Sequence, residues 1–398
     1  AVIYGYRESA QTYLSGGALP TEGQILQLTD LGNTFRALSD AYDAGGSDRG
    51  AQIQAAWDYF YRGPLAEAIV AFSEADGGYF TLDDFATFSA EIVEPIAVDY
   101  RDVRVYQNPP NSQGIAMLLA LNTLKGYDFS ELGPFSADTV HLQVEALKLA
   151  FADRYALVGD PDAVDVPVEE LLSEEHAEDQ RARIDPGAAM SWPIESGVAA
   201  ARRASHTTTF HAVDRFGNAA AVTTSLGLQF LVVGRTGIHI NERNRFFAVD
   251  EGDANRFGPG RTVRHTSCPY MALRDGRPVV LGGNTGVDTQ PQGQLQQLMH
   301  VVEFGLGAQE AVDRPRFVST AFPASTYPNR AANTLNMEVG FPEETVVGLL
   351  ERGHDVRLGE GIFGSANLLI VAADGGDIAA GAESRTGDAA GVVIPGTG

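Results

Sequence analysis

Residues 207–219 read Thr207-Thr208-Thr209-Phe210-His211-Ala212-Val213-Asp214-Arg215-Phe216-Gly217-Asn218-Ala219. The first part is dominated by β-branched and aromatic side chains, which suit a pleated, half-buried strand. Asp214 to Asn218 carry turn chemistry, and residues 219–226 return as a second β-rich run. The reading is a hairpin with Thr207 at its leading end. Just upstream, residues 186–203 fade into small and polar side chains, among them Gly187, Ser191, Pro193 and Ser196. Such a composition suits an exposed linker in which a chain break is tolerated.

Working outward, the half before the hairpin reads mainly as helix. Residues 139–157 place Val140, Val144, Leu147 and Phe151 on one face, the spacing of a helix packed on a core. Residues 51–62 and 65–73 read as a helical pair broken at Gly63-Pro64. After the hairpin, strands are expected over residues 237–241, 270–274, 279–282 and 367–373, with a helix over 290–304. With 398 residues, 44% hydrophobic content and 44 glycines, the chain is long enough to bury a large core and suits a turn-rich α/β protein.

Charge narrows the function classes. With 52 acidic against 28 basic residues the formal net charge is -24, which repels nucleic acid and anionic membrane, so neither is expected as a partner. The longest apolar runs fall far short of the roughly 20 residues a bilayer helix needs. Cys268 is the only cysteine, which excludes an intrachain disulfide and leaves the compartment unassigned. It reads as a small buried hydrophobe. His141, His176, His239, His300 and His354 lack paired metal-ligand spacing with carboxylates or Cys268, so no metal and no other cofactor is expected.

A threonine hydroxyl attacks a carbonyl at neutral pH only with a base in reach, and one such base is the residue's own α-amine. That amine titrates near about 7.7–8.0 and exists only if the threonine is a chain terminus. A threonine opening a strand after a breakable linker meets that requirement once the peptide before it is cut. Strand-initial threonines are also common as purely structural residues.

The quoted segment looks like the nucleophile hairpin of the γ-glutamyltranspeptidase (glutathione hydrolase) family, in which a Thr-Thr or Thr-Ser pair precedes a strand ending in Asp-x-x-Gly-Asn. Counting back seven from Asp214 selects Thr207, so the implied cut is between His206 and Thr207. Thr209 stands where the family often has His. Phe60-Tyr61-Arg62-Gly63, Ala150-Phe151-Ala152-Asp153-Arg154 and Gly159-Asp160-Pro161 upstream, and Gly283 to Gln292, Asp313-Arg314-Pro315 and Gly381-Ala382-Glu383 downstream, resemble the family in order. The resemblance implies the four-layer αββα sandwich of N-terminal nucleophile hydrolases. It divides the chain into residues 1–206, a mainly helical large-subunit portion ending in a processing linker, and residues 207–398, a β-rich small subunit. The two remain together as a heterodimer from one precursor. The family's large subunit normally begins well over a hundred residues earlier, so the native protein is expected to contain more than these residues. The compartment, cytoplasmic or periplasmic/extracellular, would depend on that segment.

By the same resemblance, Ser225 is a hydroxyl in the nucleophile's neighbourhood, against a plain reading as an ordinary strand serine. Gly286-Val287 falls where the family has the Gly-Gly pair whose N–H groups form an oxyanion hole. A β-branched Val287 restricts the backbone that glycine leaves free. Asp288 with Gln290-Pro291-Gln292 matches a hydrolase-like branch and is expected to order the loop. The substrate positions diverge. Asn241 is followed by Glu242, Arg243, Asn244, Arg245 and Phe246 instead of leading to an acidic pair, and His265-Thr266 replaces a Ser-Ser pair. Arg243 and His265 suit a substrate carboxylate; alternatively Arg243 makes an internal ion pair and His265 is a core histidine. The implied activity is a self-processing amidohydrolase or acyltransferase acting on γ-glutamyl or similar small-acid amides, with water or an amine as acceptor and hydrolysis favoured. The alternatives are an oxamate-like or cephalosporin-type amide, or a catalytically silent ligand-binding relative.

Overall fold

Strand alternation builds the layer that carries the site. In a computed structural model, which describes residues 2–14, 16–191, 207–227, 230–359, 363–372, 375–387 and 389–393, the chain divides into two compact units. The second unit, Val93–Ser225 with Arg243–Gly398, contains an antiparallel six-stranded sheet in the order β1-β2-β5-β6-β10-β11. Its strands are β1 (Ile96–Tyr100), β2 (Val103–Gln107), β5 (Tyr270–Arg274), β6 (Arg277–Asn284), β10 (Ala366–Val371) and β11 (Ile378–Ala382). The hairpin supplies β3 (Thr207–Val213) and β4 (Ala219–Ser225), and a third sheet joins β7 (Phe317–Ser319), β8 (Leu335–Glu338) and β9 (Val356–Gly359).

Because side chains along a strand alternate between faces, the two sides of the large sheet can be read off. Val280, Ala272, Ala366 and Leu368 enter the main apolar core. That core also holds residues of α7 (Ile115–Leu124), α8 (Ala137–Leu157) and α11 (Thr289–Val302). All residues of α7 are buried, as expected of a helix that is apolar all round. On the opposite face, Asn367 Nδ2 donates to Thr209 O at 2.8 Å, and a Cβ at Gly283 would lie 2.0 Å from Thr209 Oγ1. Only glycine lets the hairpin approach β6 so closely. Helices, six-stranded sheet and hairpin therefore stack in that order, an α/β fold. The short helices α9 (Val168–Leu171), α10 (Glu174–Arg183), α12 (Ala308–Asp313) and α13 (Glu343–Glu351) complete this unit.

The first unit, Ala1–Ile92 with Leu226–Glu242, contains α1 (Val2–Gly5), α2 (Arg7–Tyr13), α3 (Thr29–Ala44), α4 (Arg49–Tyr61), α5 (Pro64–Ala75) and α6 (Leu82–Ala86). Asp48 caps α4 by accepting from Ala51 N, and Pro64 opens α5 directly after Gly63. Residues 237–241, expected as a strand, instead hold one isolated bridge, Val232 with His239. Gly237 has φ +70° and a Cβ there would lie 2.3 Å from Leu31 N, so this segment follows close contact with α3 rather than a ladder. The β1–β2 hairpin was not anticipated, although Ile96 to Gln107 alternates in burial about Arg101-Asp102.

Candidate active site

Thr207 opens β3 and is buried; its strand partner across the hairpin is Ser225, the last residue of β4. The register brings the two hydroxyls together, Thr207 Oγ1 donating to Ser225 Oγ at 3.3 Å. Thr207 and Thr209 are both buried and Thr208 is exposed, so strand alternation turns Thr207 toward the face on which Thr209 meets Gly283. His206 lies outside the described residues.

Gly283 belongs to β6, and the loop that follows it, Thr285 to Asp288, leads into α11. Gly286 has φ +107° and Val287 φ +56°. Val287 is thus a β-branched residue held in the left-handed region, a conformation that costs about 1–3 kcal/mol and persists only where neighbours over-determine it. Those neighbours are present. Gln113 Nε2 donates to Val287 O at 2.9 Å, and Gln290 N donates to the same oxygen at 3.2 Å. Thr289 Oγ1 lies 2.8 Å from both Thr285 O and Gly286 O. The N–H groups of Gly286 and Val287 donate to no described residue. Two successive free N–H groups ahead of a helix N-terminus form a concavity suited to negative charge.

Asp288 anchors the loop from behind. Its carboxylate receives Arg154 Nη1 at 2.6 Å, Ser325 N at 2.8 Å and Ser325 Oγ at 2.5 Å. Arg154, fully buried on α8, also donates to Gln113 Oε1 at 3.1 Å and Pro323 O at 2.7 Å, and its guanidinium lies 4.7 Å from the Phe151 ring centroid. Gln113 therefore meets Arg154 through its oxygen and Val287 through its nitrogen. Sequence reasoning foresaw that Asp288 orders the loop but missed Arg154, Gln113 and Ser325. An arginine three residues after Phe151, on the same core-facing side of the helix, was the available signal, since a buried guanidinium requires a partner.

Of the substrate positions, His265 and Thr266 lie beside this network: Gln113 N donates to His265 O, and Gln113 Nε2 donates to Thr266 O at 3.2 Å. Burial, with the Arg243 charge as a lesser cause, pushes the His265 ring down to about 4, so it is neutral near pH 7 and offers a neutral hydrogen-bonding nitrogen rather than a cation. His265 Nδ1 and Thr266 Oγ1 are buried without a partner among the described residues. Arg243 opens a 3₁₀ turn, Arg243–Phe246, with its guanidinium 4.7 Å from the Phe246 ring centroid. Asn241 belongs to the first unit.

One expectation about histidines needs correction. His141, Glu145 and His354 offer ligand atoms within 4.8 Å of one another, and 141 and 145 do have paired spacing, one turn apart on α8. Their hydrogen-bonding groups are already engaged. His141 Nδ1 meets His354 Nε2 at 2.8 Å, and His141 Nε2 donates to Asp185 O at 2.8 Å. Glu145 accepts from Lys148 Nζ at 2.7 Å and Met190 N at 2.8 Å. The Lys148 ammonium opposes a second cation there, and the cluster instead ties residues 185–190 to α8.

The family profile described as Gamma-glutamyltranspeptidase matches residues 3–393. The chain is 36% identical over 304 residues to a glutathione hydrolase-like proenzyme of Bacillus subtilis (strain 168), covering 75% of this chain and 55% of that protein. It is 33% identical over 333 residues to the glutathione hydrolase proenzyme of Escherichia coli (strain K12), covering 80% and 56%. The chain thus spans about half the length of these curated relatives. Among solved structures, a cephalosporin acylase from Bacillus halodurans superposes with TM-score 0.80 at 32% identity, over 94% of this chain and 64% of that one. The fold is accordingly the α/β fold of N-terminal nucleophile hydrolases. No helix among the described residues is long and apolar enough to cross a membrane. A match running from residue 3 to residue 393 takes in both the hairpin and the β6–α11 loop, and the chain belongs to the γ-glutamyltranspeptidase family.

Proposed function

We propose that this protein is a self-processing amide hydrolase whose nucleophile is Thr207, exposed by cleavage of the His206–Thr207 peptide into fragments 1–206 and 207–398 that stay together. The observation that carries the reading is the Thr207–Ser225 hydroxyl pair at the open end of the hairpin. In the cut protein the Thr207 α-amine takes the hydroxyl proton as Oγ1 attacks the amide carbonyl carbon. The C–N bond breaks as that proton passes to the departing amine, leaving an ester on Thr207. Water then attacks the ester, releasing the acid and restoring the hydroxyl. Negative charge on the carbonyl oxygen is met by the Gly286 and Val287 N–H groups, which have no other described partner.

The substrate is an amide of a small acid. Arg243, His265 and Thr266 are the proposed acyl-side residues, with Arg243 as carboxylate partner and His265 as a neutral hydrogen-bonding group. The γ-glutamyl amide is the leading substrate, and a cephalosporin-type side-chain amide is the second reading, favoured by the likeness to the acylase.

The first prediction tests processing. Wild-type protein should resolve on a denaturing gel into two fragments, the shorter beginning at Thr207 by N-terminal sequencing, while Thr207→Ala stays whole. A single uncut chain in both would sink the proposal. Processed protein assayed with γ-glutamyl anilide, glutathione, oxamate and a glutaryl amide then ranks the substrates.

A further inference from the structure

The loop at Gly286-Val287 contains a feature that the hydrolase reading alone does not require. Thr289 Oγ1 sits 2.8 Å from Thr285 O and 2.8 Å from Gly286 O, so one hydroxyl addresses two consecutive peptide carbonyls. Each carbonyl has one further donor: Asn284 Nδ2 reaches Thr285 O at 2.8 Å, and Thr289 N reaches Gly286 O at 3.1 Å. In a trans peptide the N–H points opposite to the C=O. Holding Thr285 O and Gly286 O toward Thr289 therefore turns the Gly286 and Val287 N–H groups out on the other side of the loop, side by side.

We infer that Thr289 is a positioning residue: its hydroxyl sets the two peptide planes that aim the Gly286 and Val287 N–H groups at the carbonyl oxygen of the reacting amide. The inference rests on the hydrolase reading above and deepens it. Two independent observations support it. A Cβ at Gly286 would lie 2.3 Å from Thr289 Oγ1, so this glycine makes room for that hydroxyl as well as for its own φ of +107°. Val287 at φ +56° opposes the required backbone, so the loop needs an external restraint, which glycine at this position would lessen.

The test compares Thr289→Val, which keeps the shape and removes the hydroxyl, with Thr289→Ser, which keeps the hydroxyl. In processed protein, Thr289→Val should lower kcat about 10- to 100-fold, part of the effect of deleting an oxyanion donor, with KM nearly unchanged. Thr289→Ser should recover most of the lost kcat. A crystal structure of Thr289→Val should have the Gly286–Val287 peptide rotated from its wild-type plane. With an active wild type, an unchanged kcat in Thr289→Val, a Thr289→Ser as impaired as Thr289→Val, or an unrotated peptide overturns the inference and leaves the hydrolase reading standing. A wild type that neither cuts itself nor turns over an amide removes the hydrolase reading, and this inference with it.

Discussion

Gly286 and Val287 both hold positive φ, and the two are not equivalent: glycine adopts it freely and a β-branched residue does not. Gly286 combines φ +107° with a contact that leaves no space for a Cβ. Gly286→Ala is therefore expected to destabilise the protein by about 1–3 kcal/mol, read as a shift in urea midpoint, and to depress turnover as the N–H groups move. Val287→Gly relieves a left-handed β-branched residue and should cost no stability beyond roughly 1 kcal/mol of added chain entropy. Equal midpoints for wild type and Gly286→Ala would contradict this account of the loop. At this scale the sequence carried much of the information: the hairpin was readable from strand propensity and turn chemistry, while the family resemblance picked out Thr207 among three adjacent threonines, Ser225 and the Val-for-Gly difference. The signs of φ at 286 and 287, and the hydroxyl that serves both carbonyls, were not legible, because local pattern does not report which remote groups brace a loop.

Helix α11 gives the clearest case at the scale of elements. It buries Gln290, Gln292, Gln294, Gln296 and Gln297, a polar set in a position where apolar side chains are usual. Gln292 and Gln296, one turn apart, face the backbone of β7. Gln296 Nε2 donates to Phe317 O at 3.0 Å while Phe317 N donates to Gln296 Oε1 at 3.1 Å. Gln292 does the same with Ser319, at 3.2 Å and 2.9 Å. The two side-chain amides thus act as a substitute strand along β7. Gln296→Leu keeps the volume similar but leaves a buried N–H and a buried C=O unpaired, each worth about 1–3 kcal/mol. The expected cost is about 2–4 kcal/mol by urea denaturation, and a cost below about 0.5 kcal/mol would mean that β7 finds other donors. The glutamines were visible in the sequence beside a regular apolar face of Leu295, Leu298, Met299 and Val302. Their partner strand was not, since the pairing joins residues more than twenty apart through two backbone segments.

Across the whole molecule, buried histidines set a pH response. His211, His265 and His300 are each pushed down to about 4, in every case chiefly by burial. An unfolded histidine titrates near about 6.5, so as pH falls the unfolded chain takes up protons first. The stabilisation is complete above about 6.5, is lost progressively between 6.5 and 4, and levels off below. Between pH 7 and 5.5 the three together should cost on the order of 3 kcal/mol. Urea midpoints across that range should fall steadily, and a flat profile would mean that these rings are solvated in the folded protein. The surplus of 52 acidic over 28 basic residues acts mainly below this window, where carboxylates begin to take up protons. The amino-acid sequence by itself determined the α/β texture, the α8 and hairpin elements and the acidic net charge, because each depends on short-range periodicity, turn chemistry or composition, while the family resemblance singled out Thr207. Sequence pattern misplaced a strand at 237–241, where close packing against α3 rather than propensity decides, and passed over β1–β2, whose alternation about Arg101-Asp102 was legible. Only the tertiary structure decided that Arg154 meets Asp288, 134 residues away, and that Gln113 ties both to Val287. Burial makes an unpaired charge or amide costly, and which distant group answers that cost is settled when the layers close.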